Sequence, residues 1–217
     1  MKNSKTFDLV LTALFLGIMI LMSLVPFLGF IPIGPLNATI LHVPVIIGSI
    51  ILGPRLGAFL GFSMGLMSVY NSTTRPNPLS FVFSPFINVI GTNHGDWKAL
   101  LVAIIPRILI GIVPFFVYKY GRRLLKNKAD SVALFIAGIS GGLTNTLLVM
   151  NFIYLLFQES YGTYVSQSGQ NHEFLYGAIL TVIFTQGIPE SIVAGVVTAA
   201  VCAILLRLTK KNRTEMY

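Results

Sequence analysis

Six long apolar runs occupy most of this chain, at about 7–28, 38–52, 56–70, 99–118, 131–157 and 174–206. Their combined surface could not be covered by polar side chains in water. Apolar residues make up 54% of the sequence and charged residues 10%, against roughly 25% charged in a soluble domain. A bilayer core of about 30 Å is crossed by a helix of about 20 apolar residues, so six such helices and short loops use up nearly all of the 217 residues. The expected fold is an all-α integral membrane protein, a single six-helix domain over residues 1–217. Any ATP it consumes must be bound by another polypeptide. The first run lacks a small-residue cleavage site behind it and reads as a retained helix rather than a signal peptide.

The second and third runs are short for a full crossing. They count as two because Gly53-Pro54 between them breaks a straight helix. The net charge of +8 points to membrane topology rather than nucleic acid, because the basic residues cluster between apolar runs. With both termini in the cytoplasm, twelve Lys and Arg fall inside, chiefly around 119–128 and 207–213, and only Arg75 and Lys98 fall outside. That asymmetry predicts an even number of crossings and places the two polar connections, 71–98 and 158–173, on the outer side. No repeat or pair of inverted halves of the kind that builds self-sufficient transporters is visible. The single cysteine, Cys202, sits in an apolar run and excludes an intramolecular disulfide.

Small residues recur four apart, as Gly57, Gly61 and Gly65 and as Ala133, Ala137 and Gly141. This spacing lets a second helix backbone approach and predicts packing within the bundle. Ala13 and Gly17 fit equally well a packing face or a docking face for a partner subunit. Arg107 is the cation inside a run, roughly 12 Å from the start of its helix, and the adjacent Pro106 frees a backbone carbonyl. A charge at that depth is costly unless met by a cavity, a partner or the interface. It fits an anion clamp for a carboxylate or phosphate, or a structural bridge to Glu190 or to loop carbonyls. Glu190, behind Pro189, has three readings: pairing with Arg107, binding a polar substrate group, or protonation. Asn145, flanked by Thr144 and Thr146, needs a hydrogen-bonding partner from a neighbouring helix or a ligand. His42 is a structural histidine or a ligand contact. In the first polar connection, Asn88 to Asn93 have the composition of a lid over a small polar molecule, and Trp97 is part of that lid or an interface anchor.

Catalysis finds little support. Gly138-Ile139-Ser140-Gly141-Gly142 matches the G-x-S-x-G pattern of serine hydrolases, but Ser140 and His42 belong near opposite membrane faces, and no base is placed to take the serine proton. His42, His94 and His172 are scattered without Cys partners, so no metal site is expected. Nucleotide-binding motifs are absent, and no cofactor is expected.

Several segments, in order along most of the chain, carry a resemblance: His42-Val43-Pro44-Val45-Ile46-Ile47, Leu52-Gly53-Pro54-Arg55-Leu56-Gly57, Phe83-Ser84-Pro85, Ile105-Pro106-Arg107-Ile108-Leu109-Ile110-Gly111 and Gly142-Leu143-Thr144-Asn145-Thr146. Together they resemble the substrate-specific S components of energy-coupling factor (ECF) vitamin transporters. The resemblance implies six helices with cytoplasmic termini in a bacterial cell membrane and a vitamin pocket at the extracellular side, gated by the first and third loops. It also implies a transmembrane scaffold subunit, docked on the small-x-x-x-small motif that Ala13 and Gly17 match here, and two ATPase subunits. In that family the S component topples in the membrane to release its vitamin. The segment from Ser84 to Gly111 is most similar to pantothenate-specific members. Pantothenate carries a carboxylate, hydroxyls and an amide, for which Arg107, Asn145, Asn88 and Asn93 are chemically suited. Members for pyridoxine-like compounds, hydroxymethylpyrimidine, folate or cobalamin share the same framework and remain alternatives.

Overall fold

The computed structural model describes residues 2–25, 30–33, 36–125, 130–167 and 175–214. Helices dominate: α1 (Lys2–Leu24), α2 (Val43–Leu52), α3 (Pro54–Thr74), α4 (Lys98–Ile110), α5 (Val113–Leu124), α6 (Asp130–Gln167), α7 (Leu175–Val182) and α8 (Ile188–Thr214). A π-helical turn, Ile183–Gly187, joins α7 to α8. Among the described residues, four stretches are long and apolar enough to cross a bilayer: Lys5–Leu24, Lys98–Leu124, Asp130–Ser166 and Leu175–Leu206.

Several boundaries differ from the sequence expectation, each for a local reason. The second apolar run does not become helical at residue 38. A short antiparallel hairpin pairs β1 (Phe30–Ile33) with β2 (Leu36–Thr39), and α2 begins only at Val43, with Pro44 in its first turn. The ten residues of α2 need not cross lipid unaided, because every residue from Val43 to Ile50 is buried. The helix is apolar all round and enclosed by α1, α3, α5, α6 and α8. The break at Gly53 is as expected. Its φ of +93° is open to glycine at little cost, and Pro54 then starts α3, where a missing N–H costs nothing.

The fourth run divides into α4 and α5 at Gly111-Ile112, where Pro114 has no N–H to offer the Ile110 carbonyl. The fifth extends ten residues past its apolar stretch, as helix through Gln167 with a kink at Phe157 (φ −131°, ψ 28°). Hydropathy marks where lipid ends, whereas helical structure continues because Phe157, Tyr161 and Val165, four apart, are all buried on one face. Phe157 meets Phe81 edge-on at 5.9 Å. The expected loop at 158–173 is therefore helical through 167, and His172 lies outside the described residues.

The glycine series on α3 packs directly on the α4 backbone. A Cβ on Gly57 would overlap the Gly111 carbonyl, and one on Gly61 the Arg107 carbonyl. Gly138 and Gly142 likewise admit α8 against α6, where added Cβ atoms would meet Gly195 and Ser191. Backbone approach of this kind replaces the hydrophobic driving force that lipid removes. Two apolar cores result. One gathers α1, α2, α3, α5, α6 and α8 around Met19, Ile46, Leu60 and Leu134. The other gathers the α3–α4 connection, α4, α6 and α7 around Phe81, Val102, Ile153 and Ile179.

Candidate functional site

Four segments converge on a cavity of about 420 Å³, within the roughly 300–1,000 Å³ typical of small-molecule sites. The connection after α3 contributes Asn77, Leu79 and Phe83, and α4 contributes Arg107. Asn145, Thr146, Val149, Met150 and Tyr164 come from α6, and Val182, Gln186, Gly187 and Glu190 from the segment spanning α7 and α8. Apolar walls with a few polar groups suit a small, multiply hydrogen-bonding molecule.

Arg107 shows how the local sequence builds the site. Pro106 in the interior of α4 cannot donate to the carbonyl four residues back, that of Val102. Arg107 takes over, donating from Nη1 to the Val102 oxygen at 2.9 Å. The Phe83 ring lies 5.1 Å from the guanidinium carbon, in cation–π range. The side chain is thereby pinned at two points with only 8% of the residue exposed. Its Nε is buried without a partner among the described residues.

Asn145, on α6, presents the complementary case. Its Oδ1 is buried and unpartnered among the described residues, beside Thr146, whose side chain lies against Gly187 so closely that a Cβ there would sit 2.6 Å from it. A buried polar atom left unpaired costs about 1–3 kcal/mol. Such atoms in native structures call for an explanation. Both residues line the same cavity, so a ligand seated there lies beside a fixed cation and a carboxamide.

Of the residues singled out from sequence, Arg107, Asn145 and Glu190 share this cavity. His42 stands behind it at the N-cap of α2, 1% exposed, with both ring nitrogens unpartnered among the described residues. It is within electrostatic reach of Arg107 but does not line the cavity. Asn88 and Asn93 are exposed on the α3–α4 connection and also lie off the lining. The connection between them is tightly organised. Thr92 N–H donates to the Val89 oxygen at 2.9 Å, and Gly91 at φ +88° supplies the positive φ that this turn needs at its third position. Trp97 is exposed and edge-on to the exposed Phe86 at 6.3 Å.

Ala13 and Gly17 lie on an open face of α1. Both are exposed, and a Cβ on Gly17 would meet nothing within 4 Å among the described residues. The Ser140 hydroxyl donates back to the Ala137 carbonyl of its own helix at 2.7 Å, a common use of serine in membrane helices. Nothing in the sequence sets Asn77 or Tyr164 apart as site residues. Gln186 does carry a signal, as the one carboxamide in the run 174–206.

A bundle of membrane-length helices around a cavity of mixed apolar and polar lining, with no nucleotide motif, describes a capture subunit for a small molecule. The profile of the family "ECF transporter, substrate-specific component" matches residues 7–202, and the chain belongs to that family. Among its relatives are the pantothenic acid transporter PanT of Lactococcus lactis subsp. cremoris, 41% identical over 95% of this chain and 97% of that protein. The pantothenate transporter PanT of Leuconostoc mesenteroides is 28% identical over 97% of this chain and 98% of its own length. A transport family of this kind indicates movement of a substrate rather than its chemical conversion.

Proposed function

We propose that this chain captures pantothenate at the outer face of a bacterial cell membrane and hands it to an ATP-driven ECF module for import. It crosses the membrane six times with both termini in the cytoplasm, α2 and α3 forming two of the crossings. The observation that carries the reading is a cavity of suitable size lined by Arg107, Asn145, Gln186 and Glu190. Arg107 receives the carboxylate, with hydrogen bonds strengthened by charge. Asn145 and Glu190 receive amide and hydroxyl hydrogens, and Asn88 and Asn93 approach from the connection that closes over the site. The choice of pantothenate is supported by the two relatives named for it. Uptake of labelled pantothenate by cells supplying the ECF module tests the whole reading. Saturable uptake that depends on this chain is expected. Its absence with the protein present in the membrane, or uptake of a different vitamin instead, contradicts it.

The open face around Ala13 and Gly17 is proposed as the contact with the transmembrane scaffold subunit, which in turn engages the two ATPase subunits. Gly17→Leu adds bulk at a position where a Cβ meets none of the described residues, so melting temperature and pantothenate affinity are expected to stay near wild type. Co-purification with the scaffold and uptake are expected to fall at least tenfold, a shift of about 1.4 kcal/mol. Unchanged co-purification removes the docking assignment.

The chain is proposed to be no enzyme, and Ser140→Ala is expected to leave pantothenate affinity within about twofold of wild type, below 0.5 kcal/mol. A serine hydrolase would instead lose all activity, and labelling by a serine-directed phosphonate would disappear in the variant. Observing that labelling in the wild type contradicts the transport-only assignment.

A further inference from the structure

Gln186 is the one carboxamide in the run 174–206, and a carboxamide turned to lipid would leave two donors and an acceptor unsatisfied. Gln186 is exposed and lines the cavity beside Gly187 and Glu190. It sits in the π-helical turn Ile183–Gly187, closed by the Ile188 N–H donating to the Ile183 carbonyl five residues back. In an uninterrupted α-helix, Gly187 would stand roughly 140° around from Val182. Val182, Gln186 and Glu190, four apart, share a face in any α-helix; the wider i→i+5 turn brings Gly187 round to join them, and all four line the same cavity. The local cause is Pro189. Lacking an N–H, it cannot serve the Thr185 carbonyl, so the regular ladder fails at this point. Gly187 then fits against the Thr146 side chain, where a Cβ would stand 2.6 Å from its methyl carbon.

We infer that Gln186 is a specificity-determining residue that reads an amide group of the ligand, and that Pro189 is a positioning residue that holds the π-helical turn presenting it. The inference rests on the pantothenate reading and deepens it. A carboxamide has a donor and an acceptor on one planar group, reciprocal to the N–H and C=O of a secondary amide. Arg107 takes the carboxylate from another wall, so the two together select an amide-bearing carboxylate over a simple carboxylate.

The test is calorimetric titration of the detergent-purified full chain with pantothenate and with its ester analogue, in which oxygen replaces the amide N–H. Wild type is expected to bind the ester at least tenfold more weakly. Gln186→Ala is expected to bind pantothenate about tenfold more weakly and to lose the preference between the two ligands. That loss is one a merely structural role would not produce. Gln186→Met, which keeps the side-chain length, serves the same purpose if the alanine variant melts early. Pro189→Ala restores an N–H to the helix and is expected to weaken pantothenate binding without lowering the melting temperature. Wild-type affinity and preference in both Gln186 variants overturn the assignment of Gln186, and unchanged binding in Pro189→Ala overturns that of Pro189. If wild type itself binds no pantothenate, the reading of the whole site falls and this inference with it.

Discussion

Arg107→Ala is expected to weaken pantothenate binding by about 10²–10³-fold, because truncating one partner of a buried, hydrogen-bonded charge pair costs roughly 2–5 kcal/mol. The side chain is held for this task before any ligand arrives. It is anchored on the Val102 carbonyl and on the Phe83 ring, so little conformational freedom is lost on binding. The same anchoring gives Arg107 a structural share, since the variant also strands the Val102 carbonyl. Ligand chemistry separates the two contributions. Pantothenol retains the amide and hydroxyls but has an alcohol in place of the carboxylate. Wild type is expected to prefer pantothenate strongly, whereas Arg107→Ala binds both with similarly low affinity. A preference that survives in a folded Arg107→Ala protein places the carboxylate elsewhere. Arg107→Lys keeps the charge but not the fork geometry, and an intermediate affinity is expected.

Gly61→Leu has the second large effect, on the fold rather than the ligand. A Cβ at this position would overlap the backbone carbonyl of Arg107, and backbone cannot rotate out of the way as a side chain can. Over-packing of this kind costs on the order of 3 kcal/mol, about 10 °C in melting temperature for a chain of this size. The displaced segment carries Arg107, so pantothenate affinity should fall along with stability. Gly17→Leu is the matching control, the same change on the face of α1 where an added Cβ meets none of the described residues. Equal melting temperatures for the two variants contradict the packing account of the α3 glycines.

The sequence was most legible where one physical requirement dominates. Lipid demands continuous apolar length, and four of the six runs coincide with helical stretches long enough to cross a bilayer among the described residues. Arg107, Asn145 and Glu190 stand out because polar groups at membrane depth are expensive, and all three reach one cavity. The hairpin at 30–39 and the late start of α2 were harder to see, because short apolar stretches fit strand and helix alike. The extension of α6 to Gln167 was hidden because its buried face, Phe157, Tyr161 and Val165, alternates with polar residues. Pro189 predicts a local disturbance, but its form, a π-helical turn rather than a simple kink, depends on packing against Thr146 that no local pattern records. Asn77 and Tyr164 enter the site through tertiary convergence alone.

The central claim is that the cavity around Arg107 and Asn145 binds pantothenate, and calorimetric titration of the detergent-purified chain with pantothenate and a panel of other B vitamins tests it most directly. Tight one-to-one binding of pantothenate, with no heat from the other vitamins, is the predicted result. No binding of pantothenate by a protein shown to be folded, or tighter binding of another vitamin, contradicts the claim.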